Sequence, residues 1–170
     1  MKTSDKILVS VVMGSDSDFG IMEESTKVLK DFQIPYEVLL TSAHRSPERT
    51  SAFAKNAAQR GVQVIIVGAG AAAHLAGVIA SQTPLPVIGV PIDATALQGL
   101  DALLATVQMP GGVPVAAMAI GKAGAKNAAL MAVRILALTD EDLRKELNTY
   151  IQKMAKDVER KQANLNAANP

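Results

Sequence analysis

Val64-Ile-Ile-Val-Gly-Ala-Gly-Ala-Ala-Ala-His-Leu-Ala-Gly-Val-Ile-Ala80 is the stretch on which the fold turns. These 17 residues hold one ionisable side chain, His74, which is close to the lower limit for a membrane-spanning helix. Internal order argues otherwise. β-Branched Val64 to Val67 favours strand, Gly68 and Gly70 punctuate it, and the alanine-rich remainder favours helix. Flanking Lys/Arg anchors are lacking, so the stretch reads as strand, loop, helix. Ile7 to Met13, behind Lys2 and Lys6, resembles a short export core. It runs into Gly14-Ser-Asp-Ser-Asp18 without a small-residue cleavage pattern and reads as a first strand.

The same alternation extends along the chain. Strands are predicted at Ile7–Met13, Tyr36–Leu40, Val64–Val67, Pro86–Val90 and Pro114–Ile120, with continuous apolar character that fits strands covered on both faces. Asp18 is predicted to cap a helix with Ile21, Ser25, Val28, Leu29 and Phe32 inward. Ser46-Pro47-Glu48 marks another helix start, with Phe53, Ala54, Ala57 and Ala58 inward and Gly61 as its stop. Such alternation predicts a three-layer α/β domain: a flavodoxin-like or Rossmann-like parallel sheet with helices on both faces. An extra C-terminal helix starts near Thr139-Asp-Glu-Asp142, with an apolar stripe of Leu143, Leu147, Tyr150, Ile151, Met154 and Val158. That stripe fits either the domain's own sheet or another subunit. Residues 1–160 read as one domain and 161–170 as a polar, flexible tail.

Composition narrows the function. Lys+Arg 17 against Asp+Glu 16 gives a net charge of +1, so no electrostatic footprint predicts nucleic acid or an anionic membrane. The absence of cysteine excludes disulfides, thiolate metal sites and a cysteine nucleophile, and agrees with a reducing, cytoplasmic setting. Aromatic residues at 3% supply no stacking platform. G-x-S-x-G and Walker A motifs are missing, and the two histidines have no acidic cluster at ligand spacing. No metal is expected.

In open parallel sheets the ligand site lies at the carboxyl ends of the strands. After the first strand, Gly14-Ser15-Asp16-Ser17-Asp18 offers backbone N–H groups and hydroxyls at a helix start, a phosphate cradle or a plain turn. After the second, Ser42-Ala43-His44-Arg45-Ser46 places a candidate acid/base beside a bidentate anion donor. After the third, Gly68-x-Gly70-x-x-Ala73, with Asp93 further on, satisfies a dinucleotide fingerprint. Against an NAD-binding reading, the motif follows the third strand, and too little chain follows for a substrate domain. His74 is either a first-turn ligand contact or a satisfied imidazole. Gln108-Met-Pro-Gly-Gly-Val-Pro114 is a lid or a connector.

Several of these stretches together resemble the class I 5-(carboxyamino)imidazole ribonucleotide mutases of bacterial purine biosynthesis. The matching stretches are Met13-Gly-Ser-Asp-Ser-Asp18, Ser42-Ala-His-Arg45, Gly68-Ala-Gly70, Ala72-Ala-His-Leu75 and Val87-Ile-Gly-Val-Pro91. Gln108 to Pro114, Ala119-Ile-Gly-Lys-Ala-Gly124 and Asn127-Ala-Ala-Leu130 complete a series running from about Ile7 to Leu138. The resemblance implies a flavodoxin-like fold, a homo-octamer, a small ribonucleotide substrate, and a carboxylate shift from exocyclic nitrogen to ring carbon C4 without ATP, metal or organic cofactor. It implies His44 as proton shuttle. Ser15, Asp18 and Arg45 match residues at the ribose phosphate, and Ser42, Gly70, His74 and Leu75 match residues around the base and carboxylate. Ser17, Ala43 and Ala73 complete the expected substrate-binding set. Arg45 points to the mutase subtype, because the related carboxylases that take free carbon dioxide usually carry lysine there. Two positions depart from the family pattern: Ala71 replaces a glycine and Ala76 a proline. A methyl at Ala71 crowds the site if the backbone there needs a positive φ.

Overall fold

The computed structural model describes residues 6–169. Lys2, which belongs to the export-like reading, and Pro170 of the expected tail lie outside the described residues. The elements are β1 (Val9–Met13), α1 (Phe19–Asp31), β2 (Tyr36–Leu40), α2 (Pro47–Asn56), β3 (Val64–Gly70) and α3 (Leu75–Ala80). β4 (Val87–Ile92), α4 (Leu100–Val107), β5 (Ala116–Ala117), α5 (Gly121–Leu136) and α6 (Glu141–Ala168) follow. All pairings are parallel, in the order β2-β1-β3-β4-β5. From β1 the chain steps outward to β2, then returns to set β3 on the other side of β1. The switch point in strand order therefore lies between β1 and β3.

Every residue of β1 and β4 is buried, as is Val64–Gly68 of β3. This is why those strands read as continuous apolar runs. On one face, α2 and α3 press Phe53, Ala54, Ala57, Leu75, Ala76 and Ile79 against Val12, Ile65, Val67 and Val87. Each fully buried aliphatic side chain there is worth about 1.5–3 kcal/mol. On the other face, α1 lays Met22 over Gly68, where an added Cβ would come within 2.4 Å of the sulfur. Ser25 Oγ donates to the Ala125 carbonyl at 2.7 Å, tying α1 to α5 on that face.

Several local expectations change. Asp18 makes no capping bond to α1; Ser15 instead accepts from the Ser17 N–H of a short 3-10 turn, Asp16–Asp18. Met22 rather than Ile21 leads the inward stripe of α1. Ser46 precedes α2 without capping it, because its hydroxyl is engaged by the preceding loop. Past α2, Gly61 takes φ +97°, and the Val62 N–H donates to the Ala57 carbonyl at 3.2 Å. β5 shrinks to two residues; at the start of the expected strand, Pro114 has no N–H to give a ladder.

The chain divides at Ala132/Val133, inside α5, into two compact units. The first holds the sheet and α1 to α4. In the second, Asp140 caps α6 by accepting from the Leu143 N–H at 3.0 Å. Leu143 and Leu147 of its stripe are buried, whereas Ile151, Met154 and Val158 are exposed. The helix continues to Ala168, through the stretch that composition marks as a polar tail. Among the described residues no helix is long and apolar enough to cross a membrane.

Candidate functional site

A cleft of about 420 Å³ opens at the carboxyl ends of the strands, within the first unit and across the switch point. One wall is the turn after β1: Gly14, Ser15, Ser17 and Asp18. Ser17 Oγ donates to Ser15 Oγ at 2.8 Å. Asp18 is buried, and that burial raises its carboxyl above the ordinary value. Hydrogen bonds from the Ser15 backbone and the Ser17 side chain oppose the rise; the Asp16 charge adds to it and the Arg45 charge offsets it.

Ser42, Ala43, His44 and Arg45 form the second wall. A buried hydroxyl cluster fixes this loop. Thr41 Oγ1 and Thr50 Oγ1 are 2.8 Å apart, and Thr50 also donates to the Ser46 carbonyl. Ser46 Oγ accepts from the Ser42 N–H at 3.0 Å, and Ser42 Oγ accepts from the Arg45 N–H at 3.2 Å. Arg45 Nη2 then donates to the Gly14 carbonyl at 2.8 Å, joining the two walls.

Ala69, Gly70, Ala71, Ala72 and Leu75 make the third wall, and Ala94 reaches in from beyond β4. Ala71 has φ +52°, the left-handed conformation that penalises an L side chain. His74 lies outside the cleft walls, yet its Nδ1 is 2.9 Å from His44 Nε2. The rings meet edge to face, with centroids 5.0 Å apart and planes at 82°.

Of the residues expected from sequence, Ser15, Ser17, Asp18, Ser42, Ala43, His44, Arg45, Gly70 and Leu75 line the cleft. Ala73 does not. Its methyl is buried, and its backbone N–H donates to the Ala71 carbonyl. Gly14, the first residue of the expected cradle, also lines the cleft, as do Ala69, Ala72 and Ala94, which sequence reading did not single out as site residues. Position in the loop that follows a strand is the signal that would have found Ala94, two residues past β4. Residues 108–114 do not line the cleft. Among the described residues no three His, Asp or Glu side chains gather as a metal-ligand group.

The dinucleotide fingerprint takes another form here. Gly68 and Gly70 are strand residues paired with Val90 and Ile92, and α3 begins only at Leu75. At Gly70 an added Cβ would sit 2.8 Å from the Ala94 methyl. The glycines admit neighbouring elements rather than a pyrophosphate at a helix start.

Parallel order and strand sequence define a doubly wound, flavodoxin-like α/β protein with a cleft at its switch point. Its rim carries serine hydroxyls, a guanidinium and the His44 imidazole, with the His74 ring against the latter. The chain belongs to the AIR carboxylase family, whose model it matches over residues 8–157. It is 54% identical over 158 residues to an N5-carboxyaminoimidazole ribonucleotide mutase of Pyrococcus horikoshii, covering 93% of this chain and 88% of that one. A mutase of the same name from Mycobacterium leprae is 52% identical over 157 residues, covering 92% and 91%. The crystal structure of Treponema denticola PurE superposes with a TM-score of 0.84 at 29% identity, covering 93% of this chain and 98% of that one.

Proposed function

We propose that this chain is an N5-carboxyaminoimidazole ribonucleotide mutase of purine biosynthesis. The observation that carries the reading is the meeting of the Ser42–Arg45 loop with the Gly14–Asp18 turn over the switch point, closed by Arg45 on the Gly14 carbonyl. Arg45, Ser15 and Ser17 suit a ribose phosphate, and Asp18 suits ribose hydroxyls. Ser42, Ala43, Gly70 and Leu75 surround the base and its carboxylate, and His74 reaches them only through its contact with His44.

The chemistry needs one proton moved. The carbamate N–C bond breaks, carbon dioxide leaves, and His44 gives the exocyclic nitrogen a proton. Ring carbon C4 then forms the new C–C bond to the same carbon dioxide, and His44 takes the C4 proton back. Holding carbon dioxide beside the ring makes its recapture effectively unimolecular, an advantage of about 7–11 kcal/mol. Small residues at Ala69, Gly70, Ala71 and Ala72 leave room for a flat ring to approach the backbone. The reading includes a cytoplasmic homo-octamer that uses no ATP, metal or organic cofactor.

Purified protein is to be mixed with the N-carboxy and 4-carboxy isomers in turn, without ATP, metal or NAD, beside His44→Gln. Wild type interconverts them, and the variant loses about 10²–10⁴-fold in kcat. A folded wild type that turns over neither isomer refutes the reading.

A further inference from the structure

His44 and His74 stand 30 residues apart in sequence and arrive from loops after β2 and β3, the two strands that flank β1. Nε2 of His44 and Nδ1 of His74 lie 2.9 Å apart. Two bare ring nitrogens repel at that distance, and so do two N–H groups. The contact therefore holds one proton, carried by one ring and accepted by the other. Nε2 of His44 is spoken for either way, which leaves Nδ1 as its free nitrogen.

We propose that His74 is a positioning residue for the proton shuttle: it engages Nε2 of His44 and so selects Nδ1 as the nitrogen that exchanges a proton with the ligand. This rests on the mutase reading above. When His74 accepts the shared proton, His44 Nδ1 is a bare base. When His74 Nδ1 donates it, His44 Nδ1 carries the N–H and is an acid. The two states are the two forms a shuttle must alternate between. Nδ1 of His44 gains the substrate's proton while Nε2 passes its own to His74, so the positive charge moves one ring away and no proton is lost.

Three measurements decide it. In ¹⁵N-histidine protein at about pH 8.5, two units above the ordinary imidazole value, wild type shows a ¹⁵N–¹⁵N coupling across the His44–His74 contact. His74→Leu removes it and lets His44 sample both tautomers, whereas His74→Asn, whose amide falls near the lost Nδ1, keeps Nε2 of His44 engaged. In turnover, His74→Leu lowers kcat about tenfold, the size of one hydrogen bond, with KM little changed. His74→Asn recovers most of that loss. A rise in KM with the His44 tautomer undisturbed makes His74 a plain substrate contact and overturns the proposal. Absence of the coupling in wild type, with mixed His44 tautomers, overturns it even if no variant folds. Wild-type turnover alongside either result leaves the mutase reading standing, so the two failures are distinguishable.

Discussion

Ala71→Gly should stabilise this protein, against the usual effect of adding a glycine. Ala71 holds φ +52° in the turn between β3 and α3. Its carbonyl accepts from the Ala73 N–H at 2.8 Å, which keeps the turn tight. An L residue in that conformation costs about 1–2 kcal/mol. Glycine removes the cost but gives the unfolded chain extra freedom worth about 0.4–1 kcal/mol. The methyl is exposed in the cleft, so little packing is lost with it. The balance is a gain of about 0.5–1 kcal/mol, or about 1–4 °C in Tm for a chain of this length. Urea unfolding at constant m measures it. Ala52→Gly, at an exposed position inside α2, is the matched control and should lose about 1 kcal/mol. If both variants lose stability alike, Ala71 carries no strain and the backbone argument fails.

Two other predictions test the walls of the cleft. Asp18 has a raised carboxyl, so the folded state binds its proton more readily than the unfolded state. Its contribution favours folding at low pH and is lost as pH rises from the ordinary carboxylate value through the raised one. Asp18→Asn should therefore flatten the pH dependence of Tm in that window and melt above wild type at neutral pH; a wild type that gains on the variant as pH rises refutes it. Thr50→Val keeps the shape but leaves Thr41 Oγ1 only the longer contact to Ser46 Oγ at 3.3 Å. Stability should fall by about 1–2 kcal/mol, with faster amide exchange at Ser42 and Ser46, and unchanged exchange would show that the cluster does not hold the loop.

Apolar runs disclosed the sheet because its central strands are buried on both faces, so period and burial agree. They failed at the edges of that rule. β3 extends over Gly68, Ala69 and Gly70, residues that strands usually lack. The two glycines are there because Met22 and Ala94 pack where their side chains would stand. α4 and α5 had no readable start: α4 follows Gly99 at φ +85° without a capping side chain. At the site, residue type and position after a strand were enough to pick out Ser15, Asp18, His44 and Arg45. The 2.9 Å contact between His44 and His74 was not legible. It depends on how far two loops lean over the end of β1, which no spacing in the chain encodes. Ala71 was legible as a departure from the family, but its sign depended on a dihedral angle.

Strand order explains why the groups that line the cleft come from separate loops. β1 lies between β2 and β3, and its own turn is built from glycine, serines and aspartates with no long side chain. Reach must come from both sides, Arg45 from the β2 loop and His74 from the β3 loop. Arg45 spends one donor on the Gly14 carbonyl and keeps four of the five that a guanidinium has. That bond fixes the side chain before any ligand arrives, so less rotamer freedom is lost when an anion takes the remaining donors. A lysine at the same place would have two donors left on a longer, freer stem, and would hold a phosphate as a point charge. The arginine thus ties the His44 loop to the turn after β1, so displacing one strand-end loop pulls on the other.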